Sequence, residues 1–388
     1  MALPLYYNFR NVRIRWQVTL LAISGIALVV AVFAVLMSMS EGFRAALRST
    51  GRADNAMIVQ RGSGSELTSG VPLEDRNTLV VDDRVARDAS GQPLASWEQV
   101  QVLGLPRIRD GVQANVTLRA VTQRAFEVRG GIRIVEGRNF TPGLDEVIAG
   151  RKLTTRIRGV SLGESVKYQQ RRFKVVGLFE SDGAAFESEV WGDYDTFTAI
   201  FQRTGCNSLV LRMKDPAAIP ELDRFIRAQP QMQLQALPER QYYSDQAGPL
   251  TRVLQGLANF VALVMGIGAV FGAINTMYAI VASRTREIGT LRALGFSRRS
   301  ILVSFLVESV ILALVGGVIG CLLAFPMNGF STGTGQTQSF SEIAFAFRIT
   351  PAIVGIGLAF AVAMGILGGL LPALRGARLP ITSALREA

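Results

Sequence analysis

Histidine is missing from the 388-residue chain, and cysteine occurs only twice. Without histidine there is no Ser-His-Asp or Cys-His nucleophile and no histidine-bearing zinc site. Cys206 lies in a polar stretch and Cys321 inside an apolar one, so the two are not expected to pair within one chain. No disulfide framework supports the fold, and the cysteines do not identify a redox compartment. A Gly-Lys dipeptide is also absent, which removes the phosphate-cradling Gly-x-x-x-x-Gly-Lys-Ser/Thr loop. The chain itself is expected to be non-catalytic and to hold no metal and no cofactor. Charge is scarce too: 18% of residues are Asp, Glu, Lys or Arg, against about 25% in an ordinary soluble domain.

What charge there is divides sharply. Residues 40–252 hold 29 Lys/Arg and 26 Asp/Glu, the mixed texture of a soluble domain, whereas the other segments hold 12 Lys/Arg and only 4 Asp/Glu. That positive excess flanks apolar runs instead of covering a folded face, so nucleic acid is not an expected partner. The runs are residues 18–39, 253–283, 300–325 and 349–374, and Glu308 is their only charge. Each is at least 22 residues long, enough to cross roughly 30 Å of hydrocarbon at about 1.5 Å per residue. The first follows Arg10, Arg13 and Arg15 as a signal peptide would, but it is too long and no small-x-small cleavage site follows, so an uncleaved span is expected.

Arginine bias orients the spans. Residues 1–17, the loop 284–299 and the tail 375–388 are basic, while 326–348 carries only Glu342 and Arg348. Both termini and the middle loop are therefore expected in the cytoplasm. Residues 40–252 become an extracytoplasmic domain and 326–348 a short outer loop.

The fold class expected is an α-helical membrane protein with four transmembrane helices plus a mixed α/β extracytoplasmic domain. Within that domain, 56–60, 207–213 and 232–237 read as strands. Residues 217–228 read as a helix with Ile219, Leu222, Phe225 and Ile226 on one face. The middle, with alternation over 112–121 and 171–179 and many glycines, reads as a β-rich module inserted into the α/β module. The second run extended back to Leu250, with Pro249 at the first turn, makes a helix longer than the bilayer. The first run also continues without a strong breaker to Leu47, so both helices can form an outward stalk.

Three local patterns stand out. Small residues recur four apart at Gly268 and Gly272, Gly316 and Gly320, and Gly365 and Gly369, a pattern that lets helices approach closely in lipid. Glu308, inside the third run, is expected to pair near the interface with Arg298 or Arg299, or to bond another helix, with a proton or ion site as the alternative. Ile288, Leu291 and Leu294 repeat in the middle loop among Arg284, Arg286, Glu287 and Arg292, giving a short amphipathic helix that Gly295 ends. That helix either lies on headgroups or receives a partner. Glu187 and Glu189 read as part of a solvated face.

The stretch ASRTREIGTLRALGFSRRSILVSFLVESVILALVGGVIGCLLAF, residues 282–325, closely resembles the permease segment of FtsX/MacB-type ABC transporters. The family's R-x-x-E-I-G-x-L-R-A-L-G loop is matched at Arg284, Glu287, Ile288, Gly289, Leu291, Arg292, Ala293, Leu294 and Gly295. NFRNVRIRWQVTLLAISGIAL resembles the family's entry into its first span, and PALRGARLPITSALR its exit from the last. VEGRNFTPGLDEVIAG, SLGESVKY and FKVVGLF resemble its periplasmic core.

The resemblance implies that residues 284–295 are a coupling helix for a cytoplasmic ABC ATPase subunit, which binds the ATP and magnesium. It further implies a homodimer or a pair of similar permeases in the inner membrane, mechanotransmission to the outer domain, and export with a periplasmic adaptor. Lol-type lipoprotein extraction, FtsX-type control of a cell-wall hydrolase and an ATPase-independent sensor are the alternatives. Some family members carry a fused ATPase domain before the first span. This sequence begins at the membrane, so a separate ATPase subunit is expected.

Overall fold

A computed structural model describes residues 16–202, 204–335 and 342–380. Arg10, Arg13, Arg15 and Arg386 lie outside them. The helices are α1 (Trp16–Arg48), α2 (Leu73–Val80), α3 (Ala125–Arg129), α4 (Arg151–Thr154), α5 (Tyr194–Phe201), α6 (Ile219–Arg227), α7 (Glu239–Ser283), α8 (Thr285–Ala293), α9 (Arg298–Ala324) and α10 (Pro351–Ala377). The strands are β1 (Asn55–Gln60), β2 (Ala95–Pro106), β3 (Gln113–Val121), β4 (Arg133–Gly137), β5 (Glu146–Gly150), β6 (Ser165–Tyr168), β7 (Arg171–Glu180), β8 (Glu189–Asp193), β9 (Ser208–Arg212), β10 (Leu234–Pro238), β11 (Ser331–Gly335) and β12 (Glu342–Ala346). The chain divides into a helical unit, residues up to 41, 252–330 and from 347 onward, and an α/β unit, residues 42–251 and 331–346.

In the α/β unit one sheet runs in the order β10-β1-β9-β2-β3-β8-β5-β7-β4, with β6 paired to β7. β9 and β10 are each antiparallel to β1, so the β9-α6-β10 segment is a parallel unit whose helix crosses over one face. Ile219, Leu222 and Ile226 of α6 are buried, as their spacing predicts. Phe225 stays at the rim, with the Arg84 guanidinium 5.2 Å above its ring. The sheet carries two cores. One gathers Ile58, Leu209, Leu211, Leu222 and Leu234; the other gathers Leu118, Val147, Phe173, Val190 and Phe197. The β-rich middle is thus a second core on a shared sheet, joined through the β2–β9 and β2–β3 ladders.

β11 and β12 pair antiparallel and belong to the α/β unit, although the sequence reads this stretch only as a short loop. Ile343, Ala344 and Phe345 are buried. Phe345 meets Phe43 edge-on at 5.5 Å, and the Ala344 N–H donates to Ser188 Oγ at 2.9 Å. Glu342 accepts from Arg156 at 3.2 Å and also from Arg107. Gly42 lies so close to the Ala346 carbonyl that a Cβ there would meet it at 2.0 Å.

Among the described residues four helices, α1, α7, α9 and α10, are long and apolar enough to cross a membrane. α7 has 45 residues, about 68 Å at 1.5 Å per residue. Its start is Glu239, not the vicinity of Leu250, and Pro249 lies inside it. The apolar pattern marks only the span, because the first two turns are polar and carry no hydropathy signal.

In the helical unit Gly316 and Gly320 of α9 face α1, where a Cβ would meet the carbonyls of Ile23 at 2.9 Å and Ala27 at 2.5 Å. Gly365 and Gly369 of α10 face α9, against Ala313 and Ser309. These four are close-packing positions, as small residues four apart imply. Gly268 and Gly272 of α7 differ: a Cβ added at either would meet no described atom within 4 Å. They are not packing positions among the described residues.

Candidate functional site

The middle loop folds as α8, and its ends are set by the backbone. Gly295, at φ +92°, follows the C-cap residue Leu294. Its N–H donates to the Arg292 carbonyl at 3.2 Å and the Phe296 N–H to the Leu291 carbonyl at 3.1 Å. Those two bonds make a Schellman motif, which needs the left-handed residue that glycine supplies without steric cost. Ser297 then caps α9, accepting from the Ser300 N–H.

The expected apolar face of α8 is not one face. Ile288 is buried among Met277, Ile280, Val281, Ile301, Phe305 and Ala373, and Gly289 is buried beside it. Leu291 is half-buried, and Leu294 is 71% exposed. The period of 3 in Ile288, Leu291 and Leu294 drifts around a helix of 3.6 residues per turn, which carries the last member outward. Arg286, Glu287, Thr290, Ala293, Leu294 and Gly295 lie along the less buried side of this segment.

Arg284 and Glu308 come together, which the sequence did not reveal. Arg284 Nη1 donates to Glu308 Oε2 at 2.9 Å, and its Nε donates to Glu287 Oε2 at 3.2 Å. Arg284 is 7% exposed and Glu308 3%. The guanidinium carbon also stands 5.2 Å from the centre of the Phe305 ring. Glu308 is therefore held by the residue between α7 and α8, not by Arg298 or Arg299. At the other end of α8, Arg292 Nη1 donates to the Ala377 carbonyl at 3.1 Å, an orphan carbonyl in the last turn of α10.

A second concentration of charge lies inside the α/β unit. Arg119 of β3 bonds Glu66 at 2.6 Å, Glu98 of β2 at 2.9 Å and Glu189 of β8 at 2.7 Å. Arg129 of α3 bonds Glu98 at 2.7 Å and also Glu239, the first residue of α7. Glu239 accepts as well from Asn55 Nδ2 at 2.7 Å and the Arg52 N–H at 3.0 Å. All four carboxylates and both guanidiniums are buried.

Burial opposes the charge on Glu66, but Arg119, Arg129 and the Ser208 hydroxyl together outweigh it and hold the carboxyl below its usual range. Burial likewise works against charge on Arg119 and Arg129; Glu189 and Glu66, and Glu239 and Glu98, push them well above the ordinary arginine value. Glu187 and Glu189 are not a solvated face: Glu187 accepts from the Ser181 and Gly183 N–H groups and pairs with Lys152 at 3.0 Å. The available signal was a lone charge inside each apolar strand, Glu98 in ASWEQVQV and Arg119 in VTLRAV. A cavity of about 30 Å³, large enough for water, is lined by Leu47, Glu66, Arg119, Glu189, Tyr243 and Glu342.

No group of three or more His, Cys, Asp or Glu side chains among the described residues is arranged to hold a metal ion.

The MacB-like periplasmic core domain family matches residues 19–229, and the FtsX-like permease C-terminal family matches residues 259–381. The chain belongs to the FtsX/MacB family of ABC transporter permeases. α8 and its joint with α7 lie within the FtsX-like part, and the buried charges from Glu66 to Glu189 lie within the MacB-like part. This permease is 28% identical to the macrolide export ATP-binding/permease protein MacB of Nitrobacter winogradskyi, over 95% of its own length and 57% of that protein's. It thus spans little more than half of that relative. It is also 28% identical to the uncharacterized ABC transporter permease YvrN of Bacillus subtilis, over 94% of this chain and 93% of YvrN. The crystal structure of the periplasmic region of MacB from Actinobacillus actinomycetemcomitans is similar at a TM-score of 0.38 and 14% identity, covering 52% of this chain and 96% of that one.

Proposed function

We propose that this chain is the membrane subunit of an exporter in which a separate cytoplasmic ABC ATPase acts on α8. The exposed face of Arg286, Glu287, Thr290 and Leu294, on a helix fixed to the bundle at both ends, carries the reading. Such a face combines charges for steering and register with one large aliphatic anchor. Arginines at 284, 286, 292, 298 and 299 favour a cytoplasmic position for α8 and for both termini. In this reading the protein sits in the inner membrane, and two permease chains, identical or similar, face a pair of ATPase subunits that bind ATP and magnesium. Closure of those subunits displaces α8. α1 and α7 pass the displacement to the periplasmic core, which moves substrate toward a periplasmic adaptor.

Support for mechanical transmission over a pore comes from composition: Glu308 is the only charged side chain within the four apolar runs, and it is bonded to Arg284. The test is co-purification. An ATP-binding subunit that co-purifies with the wild-type chain should be lost from Glu287→Arg and from Leu294→Asp, with ATP-driven activity falling in step. Retention of both by the two variants refutes the reading.

A further inference from the structure

We infer that Arg284 is the mechanical joint between α7 and α8, and that Glu308 is the positioning residue that keeps it stiff. This rests on the proposed role of α8 and extends it to how displacement leaves that helix.

α7 runs to Ser283 and α8 starts at Thr285, so the break between the two helices falls on Arg284, whose φ of −112° and ψ of 13° leave the helical region. The backbone alone does not fix the angle there. Arg284 N–H still donates to Val281 at 3.1 Å, and its carbonyl accepts from the Ile288 N–H at 2.9 Å, but one non-helical residue can pivot. The side chain closes the pivot. Its guanidinium is shared between Glu308 on α9 and Glu287 on α8, so the joint ties α7, α8 and α9 at one point. Arg292 adds α10 at the far end of α8.

The pair is buried, and separating buried opposite charges strands each without its partner. A push on α8 is therefore transmitted into α7 and α9 more readily than it is absorbed by bending at residue 284. Glu308 is buried within the bundle, whereas Arg286, Glu287 and Leu294 lie on the exposed face of α8. It governs transmission and not docking, and the two separate in experiment.

The experiment uses the full chain in lipid nanodiscs, with Cys206→Ser and Cys321→Ala and spin labels at Val264→Cys on α7 and Thr290→Cys on α8, on either side of Arg284. Without any ATPase, the wild type should give one narrow distance distribution. Glu308→Gln should broaden it at least two-fold, and the exchanged pair Arg284→Glu with Glu308→Arg, made together with Glu287→Gln to remove the like charge, should narrow it again. Glu308→Asp, which keeps the charge, serves if the other variants fold poorly, and it should broaden the distribution less than Glu308→Gln.

In chains without labels, Glu308→Gln should retain the co-purifying ATP-binding subunit to within two-fold. It should lose most of the ATP-dependent change in amide exchange of the α/β unit. A Glu308→Gln chain with an unbroadened distribution, or one with a full ATP response, overturns the proposal. If the wild type binds no ATP-binding subunit, the docking reading fails, and the distance measurement still decides whether Glu308 stiffens the joint.

Discussion

The two units bury polar groups in opposite ways. The α/β unit collects four carboxylates and two guanidiniums into one cluster, in which Arg119 alone meets three strands or loops. The helical unit places the buried pair of Arg284 and Glu308 at a break between helices, and elsewhere brings helices together by removing side chains, at Gly316, Gly320, Gly365 and Gly369. Solvent explains the contrast. A water-facing domain can desolvate an ionic cluster if its oxygens find donors, as those around Arg119 and Arg129 do. In lipid, close packing is the less costly route to association.

Arg119 is the most exacting point of this comparison. Arg119→Met leaves Glu66, Glu98 and Glu189 sharing Arg129 and neutral donors. Removing one member of a buried ionic set typically costs about 3–5 kcal/mol. Denaturation followed at Trp191, whose Nε1 donates to Glu189, should show that loss, and a midpoint within error of the wild type would mean the cluster is not what holds the sheet.

The glycines come next. A Cβ at Gly369 would meet Ser309 Oγ at 2.2 Å, so Gly369→Val should destabilise the bundle in detergent by about 1–3 kcal/mol through overpacking. Gly268→Val, with nothing within 4 Å of its Cβ, should change thermal stability much less. Equal effects would remove the distinction between the packed glycines and the open ones.

The smallest effect is that of pH. The folded Glu66 carboxyl has its pKa below the unfolded value near about 4.3, so it binds fewer protons folded than unfolded. Its contribution is complete above that pH and is lost as pH falls through the folded pKa. Urea titration of the wild type and Glu66→Gln should show their stabilities converging below about pH 4, and a constant gap across that range would exclude the linkage.

Much of this fold was legible in the sequence because its strongest signals are periodic or long. Four apolar runs exceed any ordinary buried helix, and α6 shows its face through Ile219, Leu222 and Ile226. The loop motif marked α8, and Gly295 marked its end.

Other features depended on contacts that periodicity does not encode. Arg284 and Glu308 are 24 positions apart, and nothing in their neighbours' types says they meet. Leu294 belongs by hydropathy to the inner face of α8 and by helical geometry to the outer one. β11 escaped because STGTG is small and polar, and a strand of that composition is specified by its partner β12, not by its own side chains.

That late strand pair has a consequence for how the protein is made. Ser331–Ala346 completes the α/β unit, yet the ribosome reaches it only after the third apolar helix has been synthesised. Until then Arg107 and Arg156 repel one another with no Glu342 between them, and the surfaces of Phe43 and Ser188 stay uncovered. The unit can acquire its sheet early, but its last piece comes from beyond three apolar helices in the sequence. Completion of the periplasmic core therefore waits on synthesis of the third helix, and the fourth apolar helix follows it.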